Sequence, residues 1–187
     1  MGELAVANSR ARPQKYIIFL LKKVLTIFDF SVILIIEKEK GIPKMKAIWF
    51  DMDGTLADFY GVENWLQYLI NSDPTPYKVA KPLLNMSALA RRLNKLQKCG
   101  YTINIVSWLS KNSTAEFDEV VTTAKLEWLH RHLPSVKWNE IHIVRYGINK
   151  STIGSGILFD DEEPNRKMWG KDAHDVHNIL EVLKGVA

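Results

Sequence analysis

The feature that most constrains this chain is an alternation, between residues 46 and 183, of short apolar runs with helical periodicity. Residues 46–50 form an apolar run that ends in acids and reads as a buried strand. Residues 101–106, 141–144 and 156–159 read as three further strands. Between and after them, helices are expected at 64–70, 85–98, 115–132 and 174–183. In the 85–98 segment, Leu89, Leu93 and Leu96 fall at helical spacing and Gly100 marks the end. Residues 71–82 hold three prolines and a Ser-Asp pair and read as loop. Strands that alternate with helices specify a parallel sheet covered on both faces, an α/β three-layer sandwich.

Residues 1–44 have a different character. They hold 8 Lys/Arg and 4 Asp/Glu, whereas the remainder holds 17 of each, so the net charge of +4 belongs to this segment. The main domain is therefore neutral, and no nucleic-acid partner is expected. An apolar stretch spans 16–36, but Lys22, Lys23 and Asp29 interrupt it, and charges inside a membrane span are costly. No small-residue cleavage site follows it, as a signal peptide would need. Met45 opens MKAIWFDMDGTL, a natural beginning for a domain whose first strand carries its first motif. Lys38-Glu39-Lys40-Gly41 fits purine-rich codons like those of a ribosome-binding site. Residues 1–44 are thus expected to be untranslated leader read as protein, or a dispensable extension, rather than a membrane anchor. Residues 45–187 are expected to form one domain. The single cysteine, Cys99, cannot pair within the chain, and a reducing cytoplasm is the simplest setting.

In sheets of this kind ligands bind beyond the carboxyl ends of the strands. The first strand runs into Asp51-Met52-Asp53-Gly54-Thr55. If Gly54 turns the chain there, two carboxylates one residue apart reach a common site. One can attack phosphorus, and the other can exchange a proton with the leaving oxygen and with water. The second strand leads to Ser107, whose hydroxyl suits a phosphoryl oxygen, although Ser also commonly ends strands. Lys150 lies between the third and fourth strands; its ammonium suits a phosphoryl group, although a single lysine is usually solvated. Asp160-Asp161 follow the fourth strand, where magnesium could bind through carboxylates, waters and substrate oxygens. The bland alternative for these acids is a solvated acidic loop continued by Glu162 and Glu163.

DMDGTLAD, the strand ending in Ser107, Lys150 and Asp160-Asp161 resemble, in order, the four motifs of haloacid-dehalogenase-like hydrolases. The resemblance implies a Rossmann-like core with Asp51 as nucleophile and Asp53 as acid/base. It implies Mg2+ held by the Asp51 carboxylate, the Asp53 carbonyl and an acid of the Asp160-Asp161 pair, with Asp161 preferred. Ser107, Lys150 and the Gly54 and Thr55 region would hold the phosphoryl oxygens. Lys125-Leu126-Glu127-Trp128-Leu129, residues 141–144, Asn149-Lys150-Ser151 and LFDDEEPN look like the 5'(3')-deoxyribonucleotidase branch, which implies nucleoside monophosphates as substrates. Residues 59–84 leave room for a small lid but not a full cap domain, so larger phosphorylated substrates also fit.

His174 and His177, three apart, lack the partners a structural zinc site needs and read as helix-surface residues. Trp65, Trp108 and Trp169 could stack on a base, Trp108 being best placed after Ser107, although packing is the commoner role. Arg91 and Arg92 read as a solvated helix face. The leading expectation is a hydrolase of small phosphate monoesters. Its alternatives are a non-catalytic phosphate-binding module on the same fold, which has no need of both aspartates, and a protein tethered to membrane through 16–36.

Overall fold

The computed structural model describes residues 46–186. The expectations for 1–44, including the apolar stretch 16–36, lie outside the described residues. β1 (Ala47–Phe50), β4 (Thr102–Trp108), β5 (Glu140–Val144), β6 (Ile157–Phe159) and β7 (Ala173–His174) form a five-stranded sheet in the order β5-β4-β1-β6-β7. Every pairing in it is parallel. The chain runs outward from β1 through β4 to β5, then returns to the other side of β1 for β6 and β7. The fold is the expected α/β architecture.

Alternation along the strands sorts the core by face. Ile48, Phe50, Ile103, Ile105 and Phe159 point to one side. There they meet Leu89, Leu93 and Leu96 of α3 (Met86–Lys98), Trp128 and Leu129 of α4 (Ala115–His132), and Ile179 and Leu183 of α6 (Ile179–Gly185). Each such side chain, fully buried, contributes roughly 1.5–3 kcal/mol. On the other face, Ala47, Trp49, Val106 and Leu158 are packed by a tight turn at 150–155 and by α5 (Glu163–Trp169). Trp49 donates from Nε1 to the Ser155 carbonyl at 3.0 Å, and Trp169 donates to Gly156 at 2.8 Å. Among the described residues the first face carries three helices and the second one short helix. Gly156, at φ 111, permits a close approach to β1: a Cβ there would lie 2.3 Å from the Ala47 carbonyl oxygen.

Three local expectations give way. Residues 75–79, read as loop because of nearby prolines, form α2 (Thr75–Val79). Asp73 accepts hydrogen bonds from the Thr75 amide and hydroxyl, and Pro76 occupies the first turn, where no amide proton is needed. The acidic stretch after β6 starts α5 for the same reason, with Pro164 in its first turn. The helix expected over 174–183 begins only at Ile179. His174 is instead paired at the sheet edge, and the Asp175 side chain accepts from the His177 amide to turn the chain. Residues 59–84 hold α1 (Trp65–Ile70), α2 and the short strand β3 (Lys81–Pro82), which pairs with β2 (Ala57–Asp58). Among the described residues no helix is long and apolar enough to cross a membrane.

Candidate phosphoryl-transfer site

The sheet register decides which side chains can meet. Phe50 pairs with Ile105 on one side and with Phe159 on the other, so the residues just beyond them, Asp51 and Asp160, emerge side by side. The Asp51 amide donates to the Phe159 carbonyl at 2.9 Å, which carries the β1–β6 ladder one residue past the strand and fixes Asp51. This is the place where the strand order reverses, the position at which open α/β sheets bind ligands.

Lys150 opens a short 3-10 turn (Lys150–Thr152) capped by Asn149, which accepts from the Ser151 amide at 3.0 Å. The turn drives the ammonium inward; the side chain is only 1 % exposed, so the reading as a solvated lysine is excluded. Lys150 Nζ lies 3.1 Å from Asp51 Oδ2 and 2.6 Å from Asp160 Oδ2. Burial pulls it toward the neutral form, but the two carboxylates outweigh that and hold it above the ordinary lysine value.

The acids divide the work. Asp160, fully buried, accepts from Lys150, from the Glu162 amide at 2.9 Å and from Asn165 at 3.2 Å, so both its oxygens are engaged. Asp161 is held more lightly: its Oδ1 accepts from the Thr55 hydroxyl at 3.3 Å, and that hydroxyl accepts from the Asp161 amide at 3.2 Å. Burial, Asp51 and Asp160 push the Asp161 carboxyl up to about 7. Arg166 donates to the carbonyls of Asp160 and Asp161 at 2.7 and 2.6 Å and pairs with Asp175 at 3.1 Å, which pins the loop. Asp51 Oδ1 is buried and accepts no hydrogen bond.

Oxygens of Asp51, Asp160 and Asp161 lie within 4.8 Å of one another. A buried carboxylate oxygen with no donor, facing two further acids, suits a hard divalent cation. Asp51 and Asp161 could hold one, since the Asp160 oxygens are already occupied. Gly54 makes the approach possible. At φ 75 it takes a left-handed turn, and a Cβ there would meet Asp161 Oδ2 at 2.4 Å.

The amides of Gly54 and Thr55, expected beside a phosphoryl group, are used inside the turn. Gly54 donates to the Ala57 carbonyl at 2.9 Å, and Thr55 donates to the Met52 carbonyl at 3.2 Å. Their effect is to shape the loop and to steady Asp161.

Asp53 has a partner that sequence reasoning missed. Lys125, on α4 and 1 % exposed, donates to Asp53 Oδ2 at 2.7 Å, to Ser107 Oγ at 2.8 Å and to the Trp108 carbonyl at 2.7 Å. The Tyr77 ring centroid lies 5.2 Å from its ammonium. Burial raises the Asp53 carboxyl; Lys125 opposes this but leaves the value above the usual carboxylate range. A signal was available in the helix period: Lys125 stands four residues from Val121 and four from Leu129, on the stripe that α4 buries.

A cavity of about 520 Å3 opens from Asp51 and Asp53, walled by Tyr60, Trp65, Trp108 and Tyr146, by Leu66 and Ile70 of α1, and by Ser110 and Asn112. Trp108 donates to the Ile148 carbonyl at 2.8 Å, and Lys150 Nζ lies 5.0 Å from its ring. Trp169 packs against Trp49 away from the cavity, and His174 packs on Phe159. Arg92, expected in solvent, donates to the Leu183 carbonyl at 2.7 Å.

No family model matches the chain, and no curated protein matches it. Among solved structures it is similar to D,D-heptose 1,7-bisphosphate phosphatase from Burkholderia thailandensis. The identity is 14% over 65% of this chain and 70% of that one, with a TM-score of 0.39, a likeness too slight to assign a fold or an activity. What stands on the geometry is an α/β domain that gathers Asp51, Asp53, Ser107, Lys150, Asp160 and Asp161 at the carboxyl ends of three adjacent strands.

Proposed function

We propose that residues 46–186 form a phosphohydrolase of the haloacid-dehalogenase-like kind, acting on small phosphate monoesters with Mg2+. The observation that carries this reading is Asp51, whose Oδ1 is buried without a hydrogen bond while its Oδ2 is anchored by Lys150 at 3.1 Å. Asp118 Oδ1 is also buried without a partner; what sets Asp51 apart is its place beside Asp160, Asp161 and the Lys150 ammonium, where a free carboxylate oxygen suits a nucleophile or a metal ligand.

Phosphoryl transfer depends mainly on positioning and on neutralising charge. Lys150 spends two of its three protons on Asp51 and Asp160, and the third is available to a phosphoryl oxygen. Ser107 supplies a second donor. Asp51 attacks phosphorus in line, forming an aspartyl-phosphate, and the ester oxygen departs with the proton of Asp53. The raised Asp53 carboxyl suits that donation. Asp53, then ionised, takes a proton from the water that attacks phosphorus, and Asp51 is released with phosphate. Mg2+, held by the Asp51 and Asp161 carboxylates and the Asp53 carbonyl, would neutralise the phosphoryl oxygens and screen the acids from one another.

The finer reading is a 5'-nucleotidase. Its support is the cavity, whose aromatic walls suit a flat base and whose Ser110 and Asn112 offer polar contacts to its edge. Wild type and Asp51→Asn are assayed with and without Mg2+ on nucleoside monophosphates and sugar phosphates. Magnesium-dependent release, absent in the variant and fastest on nucleotides, is expected. Sugar phosphates turned over faster would overturn the nucleotidase reading, and wild-type-like release by Asp51→Asn would overturn the nucleophile assignment.

A further inference from the structure

Two lysines are buried at this site, and they differ in how many protons they have left. An ammonium has three donors and no acceptor. Lys150 engages two carboxylates. Lys125 engages Asp53 Oδ2, Ser107 Oγ and the Trp108 carbonyl at 2.7, 2.8 and 2.7 Å, which uses all three. It therefore has no proton left for a phosphoryl oxygen, although it lies in the site.

We propose that Lys125 is a positioning residue which aims the Ser107 hydroxyl proton at the phosphoryl group and holds Asp53 by one oxygen, so that the other exchanges the leaving-group proton. The inference rests on the phosphohydrolase reading. Ser107 Oγ accepts from Lys125, and among the described residues it donates to no other group, so its proton is uncommitted. Ser107 is fully buried and its rotor would otherwise be free to point elsewhere. Asp53 Oδ2 is tied to Lys125, leaving Oδ1 toward the cavity that Asp53 lines. One ammonium thus couples the strand that carries the hydroxyl to the loop that carries the acid.

The test is a double-mutant cycle of Lys125→Met and Ser107→Ala in the full chain with Mg2+. Orthophosphate affinity is read by calorimetry, and kcat is read on a nucleoside monophosphate and on 4-nitrophenyl phosphate. Each single variant is expected to weaken orthophosphate about tenfold or more, the scale of a charge-assisted hydrogen bond, and the double variant no further than the worse single. Lys125→Met is expected to lower kcat on the nucleotide far more than on 4-nitrophenyl phosphate, whose leaving group needs no proton. Lys125→Gln, which retains a donor on a side chain one atom shorter, replaces Lys125→Met if that variant does not fold. Additive losses, or equal loss of kcat on both substrates, would make Lys125 a direct phosphate ligand and overturn the proposal while the wild type still turns over. A wild type that neither binds orthophosphate nor hydrolyses any ester would overturn the phosphohydrolase reading as well.

Discussion

Asp51, Lys150 and Asp160 form a chain of charge in which one cation sits between two acids, all buried. Removing the cation leaves two like charges adjacent and without solvent. Lys150→Met is therefore expected to cost about 3–5 kcal/mol of stability, the usual price of breaking a buried pair from one side. Urea unfolding checks it: the midpoint should fall with an unchanged slope. An unchanged midpoint would mean the ammonium is solvated in solution.

At the scale of elements, the site is assembled by sheet register and by turns, while α1 and α2 make the walls. α1 buries no residue of its own, and it leaves Leu66 and Ile70 more than half exposed beside the cavity. These side chains should contact the leaving group and leave the phosphoryl group alone. Leu66→Ser with Ile70→Ser is expected to raise KM for a nucleoside monophosphate several-fold and to leave kcat on acetyl phosphate unchanged. Steady-state kinetics on the two substrates decide it; equal effects on both would place α1 in the catalytic machinery.

The strands and long helices were legible because period and length agree in them, as in residues 47–50 and 115–132. The motif acids were legible because carboxylates after a buried strand are costly without a task. What escaped reading depends on contacts distant in sequence. Nothing local marks His174 as an edge strand, since its partner Phe159 lies across the sheet. Lys125 is 72 residues from Asp53, and only the fold brings them together. The prolines near 74–76 misled because proline breaks a helix interior but suits a first turn.

The whole molecule carries a cluster of acids whose proton affinities are raised together. Asp53, Asp160, Asp161 and Glu162 are all shifted upward, chiefly by burial. An acid with a raised folded value contributes stability that is fully present below its unfolded value and is lost as pH rises through the folded one. For Asp161 that window runs from 3.8 to about 7. In EDTA the cluster should therefore lower Tm as pH rises from 5 to 8. Mg2+, which requires ionised ligands, should raise Tm more at pH 8 than at pH 5. Differential scanning calorimetry at the two pH values checks both signs. A Tm shift by Mg2+ that is independent of pH would remove Asp161 from the metal site.

As the proposed nucleophile, Asp51 would carry the phosphoryl group between the two half-reactions. The direct measurement is to quench the enzyme during turnover, reduce it with borohydride, and map the product by peptide mass spectrometry. An acyl-phosphate at Asp51 is reduced to homoserine, so that change is expected at residue 51 with Mg2+ and substrate, and is expected to be absent without substrate. A turning-over enzyme with an unmodified Asp51, or with the modification on another acid, would contradict it.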